Sequence, residues 1–255
     1  MKKLIVFLSF LLWAPALRAA GPASLYDERF AFTKDYIQTL GIFKGIETAA
    51  EALPKNDKED VVGHGIQRMA FAKKGKSDII AARDLLDKYR ASKDKIVATT
   101  AAQIVSVYQL LADNMDERLK LFEDLYSPDV VKDFNQYQVA FMKRQSDLEA
   151  KTEEVYYMLT SCSVMVTYVM VKPEADKEGK KSYLVFNSVQ RSELVLDLLN
   201  IFGDKIKDGF QEGFSYVDSA AVILYQVLSG PHKSLDDFKT SRLFPGRFYR
   251  TQSPA

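Results

Sequence analysis

Residues 76–178 run for 103 positions without a glycine, and the only prolines among them are Pro128 and Pro173. A sheet-built domain needs turn residues roughly every 8 to 12 positions. Helices need neither glycine nor proline inside their span. The stretch therefore predicts an all-α fold.

Hydrophobic spacing points the same way. Along 93–126, Val97, Ala101, Ile104, Tyr108, Leu111, Met115, Leu119 and Phe122 recur every three or four residues, the spacing of one helical face. Ser127, Pro128 and Asp129 then read as a cap, a first-turn proline and an acid near the positive helix end. Phe134, Phe141, Leu148, Val155, Cys162 and Val169 follow at steps of seven. Gln138, Gln145, Thr152, Leu159 and Val166 lie between them, so the stripe starts polar-flanked and ends wholly apolar. A single helix over 128–172 would be about 65 Å long, which leaves a kink or a break open.

Further helices are expected at 24–53, 57–72, 77–91 and 182–207, with a turn at 73–76 and a solvated loop at 172–181. Ser215 followed by Asp218 reads as another helix start, and Gly230-Pro231 as its stop. A short helix from Ser234 is expected before an irregular tail. The architecture this predicts is a multi-helix bundle of about six to eight helices over 20–240, with the tail at 241–255 and segments 155–171 and 215–229 at the centre. The runs 155–171 and 219–229 within them carry no charged residue, yet each is shorter than the roughly 20 residues a membrane span requires, so the expectation is buried core.

The N-terminus reads as a cleaved secretory signal over 1–19: Lys2 and Lys3, an apolar run to Trp13, then small residues around Ala16 and Ala19. The protein is accordingly expected to be periplasmic or secreted. Removing Lys2, Lys3 and Arg18 leaves a net charge of about −2, against the formal +1 of the whole chain. Such a balance gives no field for nucleic acid. Peripheral contact with a membrane stays open. Cys162, the one cysteine, sits in an apolar run and reads as a buried thiol.

Catalytic and metal patterns are sparse. One cysteine cannot supply a c-type haem site, and His64 and His232 belong to no metal motif. Asp60 and His64 lie four apart, which makes at most two ligands where zinc takes four. Gly75-Lys76-Ser77 imitates the end of a phosphate-binding loop, but Ala70 stands where that motif needs a glycine. No cofactor and no metal are expected, and no catalytic residue is singled out. In the tail, Arg242, Arg247 and Arg250 interleave with Phe244, Phe248 and Tyr249, a composition found at binding hot spots. Arg242, Phe244, Arg247, Phe248 and Tyr249 are thus candidate partner-binding residues, although the two phenylalanines would equally seal the end of the bundle. The function expected first is a non-catalytic interaction or scaffold module for a protein or envelope component. Two alternatives stand beside it. One is carriage of an apolar small molecule or lipid between helices, with Met158, Met165 and Met170 beside Tyr156, Tyr157 and Tyr168. The other is an all-helical cell-wall glycosidase.

Overall fold

A computed structural model describes residues 25–53, 61–125, 127, 134–176 and 179–230. The expected signal, the cap at Pro128-Asp129, Asp60, His232, the helix from Ser234 and the whole C-terminal tail lie outside these residues. Within them the chain is a helical bundle of six α-helices, the low end of the expected number. They are α1 (Leu25–Glu51), α2 (Val61–Asp87), α3 (Lys95–Leu125), α4 (Phe134–Met170), α5 (Ser188–Phe202) and α6 (Tyr216–Ser229).

α3 packs between α2 and α4; α4 also bears α6, and α5 and α6 close against α1. The predicted face of α3 is the buried one: Val97, Ala101, Ile104, Tyr108, Leu111 and Met115 all lie in the core. The α4 stripe is buried at Leu148, Val155, Leu159, Cys162, Val166 and Val169. Its polar-flanked first half leaves Val139 and Met142 exposed. No break divides α4, which runs 37 residues, about 55 Å.

The segments expected at the centre are there. In α6, Ala220, Ala221, Val222 and Leu224 are buried along with Val217, Val227 and Leu228, so almost every side of the helix meets protein. α3 is the described helix long and apolar enough to cross a membrane by length and composition, and its apolar face is the one turned into the core.

Three expectations are corrected. No turn interrupts 73–76: α2 runs unbroken through Gly75. A Cβ on Gly75 would stand 3.3 Å from the Cε of Met115, so this glycine lies inside a helix against a side chain of α3 and does not mark a turn. The basic neighbours that suggested a solvated turn are paired instead, Lys74 with Asp78 and Lys76 with Asp116 at 2.7 Å.

The expected loop at 172–181 is a two-stranded antiparallel hairpin, β1 (Val171–Asp176) with β2 (Gly179–Leu184), in register from Val171↔Leu184 to Asp176↔Gly179. Pro173 disfavours helix at Lys172 and fixes an extended-compatible φ of its own, which ends α4 and starts the strand. The helix expected over 182–207 is correspondingly shorter. β2 claims the chain to Leu184, and α5 begins at an Asn187–Gln190 capping box. α5 stops at Gly203, whose φ of +71° favours glycine, and a short 3-10 turn, Asp204–Asp208, follows.

Candidate functional site

Two polar clusters inside the bundle are structural ties. Asp218, 4% exposed, sits one turn into α6. Lys205 Nζ donates to its Oδ2 at 3.1 Å, and Lys44 Nζ stands 2.9 Å from its Oδ1 as an ion pair without hydrogen-bond alignment. Glu47 accepts from Lys44 at 3.3 Å and from the Ser215 hydroxyl at 2.9 Å. Ser215 is the expected cap, its hydroxyl accepting the Asp218 N–H at 3.1 Å. The Asp218 carboxylate, however, reaches the two lysines and leaves the cap's own N–H alone. Burial pushes the Asp218 carboxyl up, but the lysines more than offset this and hold it below the usual carboxylate range. For Glu47 burial wins, and its carboxyl is raised.

The second cluster lies between α1, α3 and α4. Tyr36 and Ser163 share a hydrogen bond at 2.9 Å, and Thr39 and Tyr108 share one at 2.6 Å. Burial drives both phenols well above their usual range and the neighbouring Cys162 thiol to about 12. A desolvated glutamate in a cleft would have favoured the glycosidase. Glu47 is desolvated, but it is tied to Lys44 and Ser215 and lines none of the three clefts described next.

Among the described residues clefts open between helices, and three of them, none sealed, bear on function. One of about 350 Å³ lies between α1 and α2 over Gly41, Gly45 and Gly75. One of about 260 Å³ lies where α1, α2, α3 and α4 converge near Leu53 and Leu148. The broadest, about 710 Å³, is a groove between α3 and α4. These two helices run antiparallel, as the ion pairs Glu117–Lys151 and Asp124–Arg144 mark. From α3 the groove is lined by Ala98, Thr99, Ala102, Gln103, Ser106 and Val107, and from α4 by Met158, Ser161, Cys162 and Met165. No charged residue lines it.

The groove has a helical grammar. On α3, Thr99, Gln103 and Ser106 line it at steps of four and three, and exposed Ile96 and Leu110 continue the spacing along the helix on either side. On α4, Met158, Ser161 and Met165 line it at steps of three and four, and exposed Tyr168 continues that spacing beyond the lining. Such steps are the seam spacing of packed helices. Alanine and serine at the floor let a third backbone approach, and methionine adapts its shape to what it meets.

Of the residues proposed to line an apolar cavity, Met158 and Met165 meet in this groove, while Met170 is core. Tyr157 stacks edge-on against Tyr216, with ring centroids 6.0 Å apart. The partner-binding candidates Arg242, Phe244, Arg247, Phe248 and Tyr249 lie outside the described residues. Among the described residues no cluster of three or more His, Cys, Asp or Glu is placed to hold a metal ion. Gly75-Lys76-Ser77 lies mid-helix, with no strand before it and no loop to cradle a phosphate. Sequence reading missed the groove because its seam is written in Thr, Gln and Ser between Ile96 and Leu110, which a hydrophobic count passes over. The chain matches no protein-family model, no curated protein and no solved structure.

Proposed function

We propose that this chain is an exported, non-catalytic interaction module, and that it holds an amphipathic helix of a protein or envelope component along the α3–α4 groove. The observation that carries the reading is the pair of seam-spaced stripes, Ile96–Leu110 on α3 and Met158–Tyr168 on α4, flanking an uncharged groove of about 710 Å³. From Ile96 to Leu110 the stripe is about 21 Å long, which matches a docked helix of some four turns. The lining offers no charge to recognise a basic or acidic segment, so the fitting partner presents an apolar stripe with small polar breaks. The periplasmic or secreted setting rests on the N-terminal pattern alone.

The test is a photo-cross-linking residue placed at Gln103, with a second placed at Leu196, exposed on α5, as control. In envelopes of cells making the full chain, position 103 should give one protein adduct that position 196 does not. The cross-linked peptide should carry apolar residues three and four apart, and Met165→Glu should abolish the adduct. Adducts to lipid alone, or identical adducts from both positions, would defeat the proposal.

A further inference from the structure

Farther along α3, where its later turns face the last turn of α1, the cleft of about 260 Å³ has a different chemistry from the groove. Its floor is apolar: Leu121 and Leu148 are buried, and Phe71 and Leu53 are half-buried. Its wall carries Arg68, Arg118 and Glu149. Glu149 accepts a hydrogen bond from Gln145 at 2.9 Å.

Arg118 is half-buried and makes no hydrogen bond or ion pair among the described residues. Three acids of α3 are engaged elsewhere, Glu117 by Lys151, Asp116 by Lys76 and Lys120, and Asp124 by Arg144. Glu149 shares the wall but is bonded to Gln145 and not paired with Arg118, so the half-buried guanidinium presents over an apolar floor a donor fork that matches a ligand carboxylate. The volume lies just below the roughly 300 Å³ at which pockets take drug-sized ligands, which suits one acyl chain and not a two-chain lipid.

We infer that this cleft binds a single-chain amphiphile with a carboxylate head, the head on Arg118 and the tail over Phe71, Leu121 and Leu148. The site is separate from the α3–α4 groove, and its failure would leave that reading untouched. A fatty acid is the simplest molecule of this class. The guanidinium fixes the end at which the head sits, and the floor sets the preference for a chain over a bare anion.

Titration calorimetry of the chain lacking residues 1–19 tests the inference at neutral pH with three probes, each kept below its micelle-forming concentration: decanoate, decanol and acetate. Decanoate should bind saturably at one equivalent, decanol at least about tenfold more weakly, the size of one charge-assisted hydrogen bond, and acetate not at all. Arg118→Gln should lower decanoate affinity to that of decanol and leave decanol unchanged, while Arg118→Lys retains part of the preference. The unchanged decanol binding reports that the Arg118→Gln protein is folded. Equal affinities for decanoate and decanol in the wild type, unsaturable uptake, or an Arg118→Gln variant that binds decanoate as the wild type does would each overturn it.

Discussion

Arg29 and Asp94, 65 residues apart, form an almost buried pair, Nε donating to Oδ2 at 2.5 Å. The same guanidinium donates to the carbonyls of Val169 at 3.3 Å and Val171 at 3.4 Å. Asp94 in turn caps α3, its Oδ1 accepting the Ile96 N–H at 2.9 Å. One side chain thus joins the second turn of α1, the start of α3 and the end of α4. Breaking a buried pair from one side leaves an uncompensated charge, so Arg29→Met should cost about 3 kcal/mol or more in urea unfolding. Arg29→Met with Asp94→Asn should recover part of that loss. A single variant within about 0.5 kcal/mol of wild type, the ordinary scatter of surface changes, would deny the pair its role.

Beside Ser215, the carboxyls of buried Asp218 and half-buried Glu47 are shifted in opposite directions. Asp218 is held low, so its contribution is present above the unfolded carboxylate range and is lost as pH falls through its folded pKa. Glu47 is held high, so it favours the fold below the unfolded range and loses that contribution as pH rises through its folded pKa. Glu47→Gln should therefore leave stability unchanged below about pH 4 and raise it at pH 7. Thermal melts at the two pH values check this, and an equal shift at both would contradict it.

Two glycines should respond to alanine in opposite directions. Gly75 is helical, and an added Cβ meets only the flexible end of Met115, at 3.3 Å. Gly75→Ala should gain part of the roughly 1 kcal/mol of helix propensity. At Gly209 the backbone has φ +85°, and an added Cβ would stand 3.0 Å from Gln226 Nε2. Gly209→Ala should lose about 1–2 kcal/mol. Were 73–76 a turn, Gly75→Ala would destabilise as well, so the paired measurement also tests the unbroken α2.

What the sequence made legible divides along one physical line. Elements stabilised by burial announce themselves by spacing, as the faces of α3 and α4 and the Ser215 start of α6 do. Features set by where another helix lies do not. Gly75 looks like a turn until Met115 is seen across from it. Lys172 to Lys181 looks like a loop because its pairing is made by backbone groups, to which a charge-rich composition gives no clue. The groove falls in the same class: Thr99, Gln103 and Ser106 gain meaning only beside Met158 and Met165.

Cys162 joins these levels in one measurement. Its thiol is fully buried and pushed up to about 12, so almost none is thiolate at pH 8 and the native state should resist a thiol-directed reagent. Labelling must then wait for an opening, and the structure says which. Cys162 lies at the wall of the α3–α4 groove beside Ala98 and Ala102, so parting the two helices near their Arg29-tied ends exposes it without unfolding α6 or α5. Labelling in native buffer should accordingly depend on urea more weakly than global unfolding does, the mark of a sub-global opening. Arg29→Met, which unties that end, should accelerate labelling by more than its loss of global stability accounts for. A urea dependence equal to the global one, with the variant shifting both equally, would mean that α3 and α4 separate only when the whole bundle does. A helix docked in the groove would have to slow the opening, so the same rate measured with and without a bound partner reports on the groove directly.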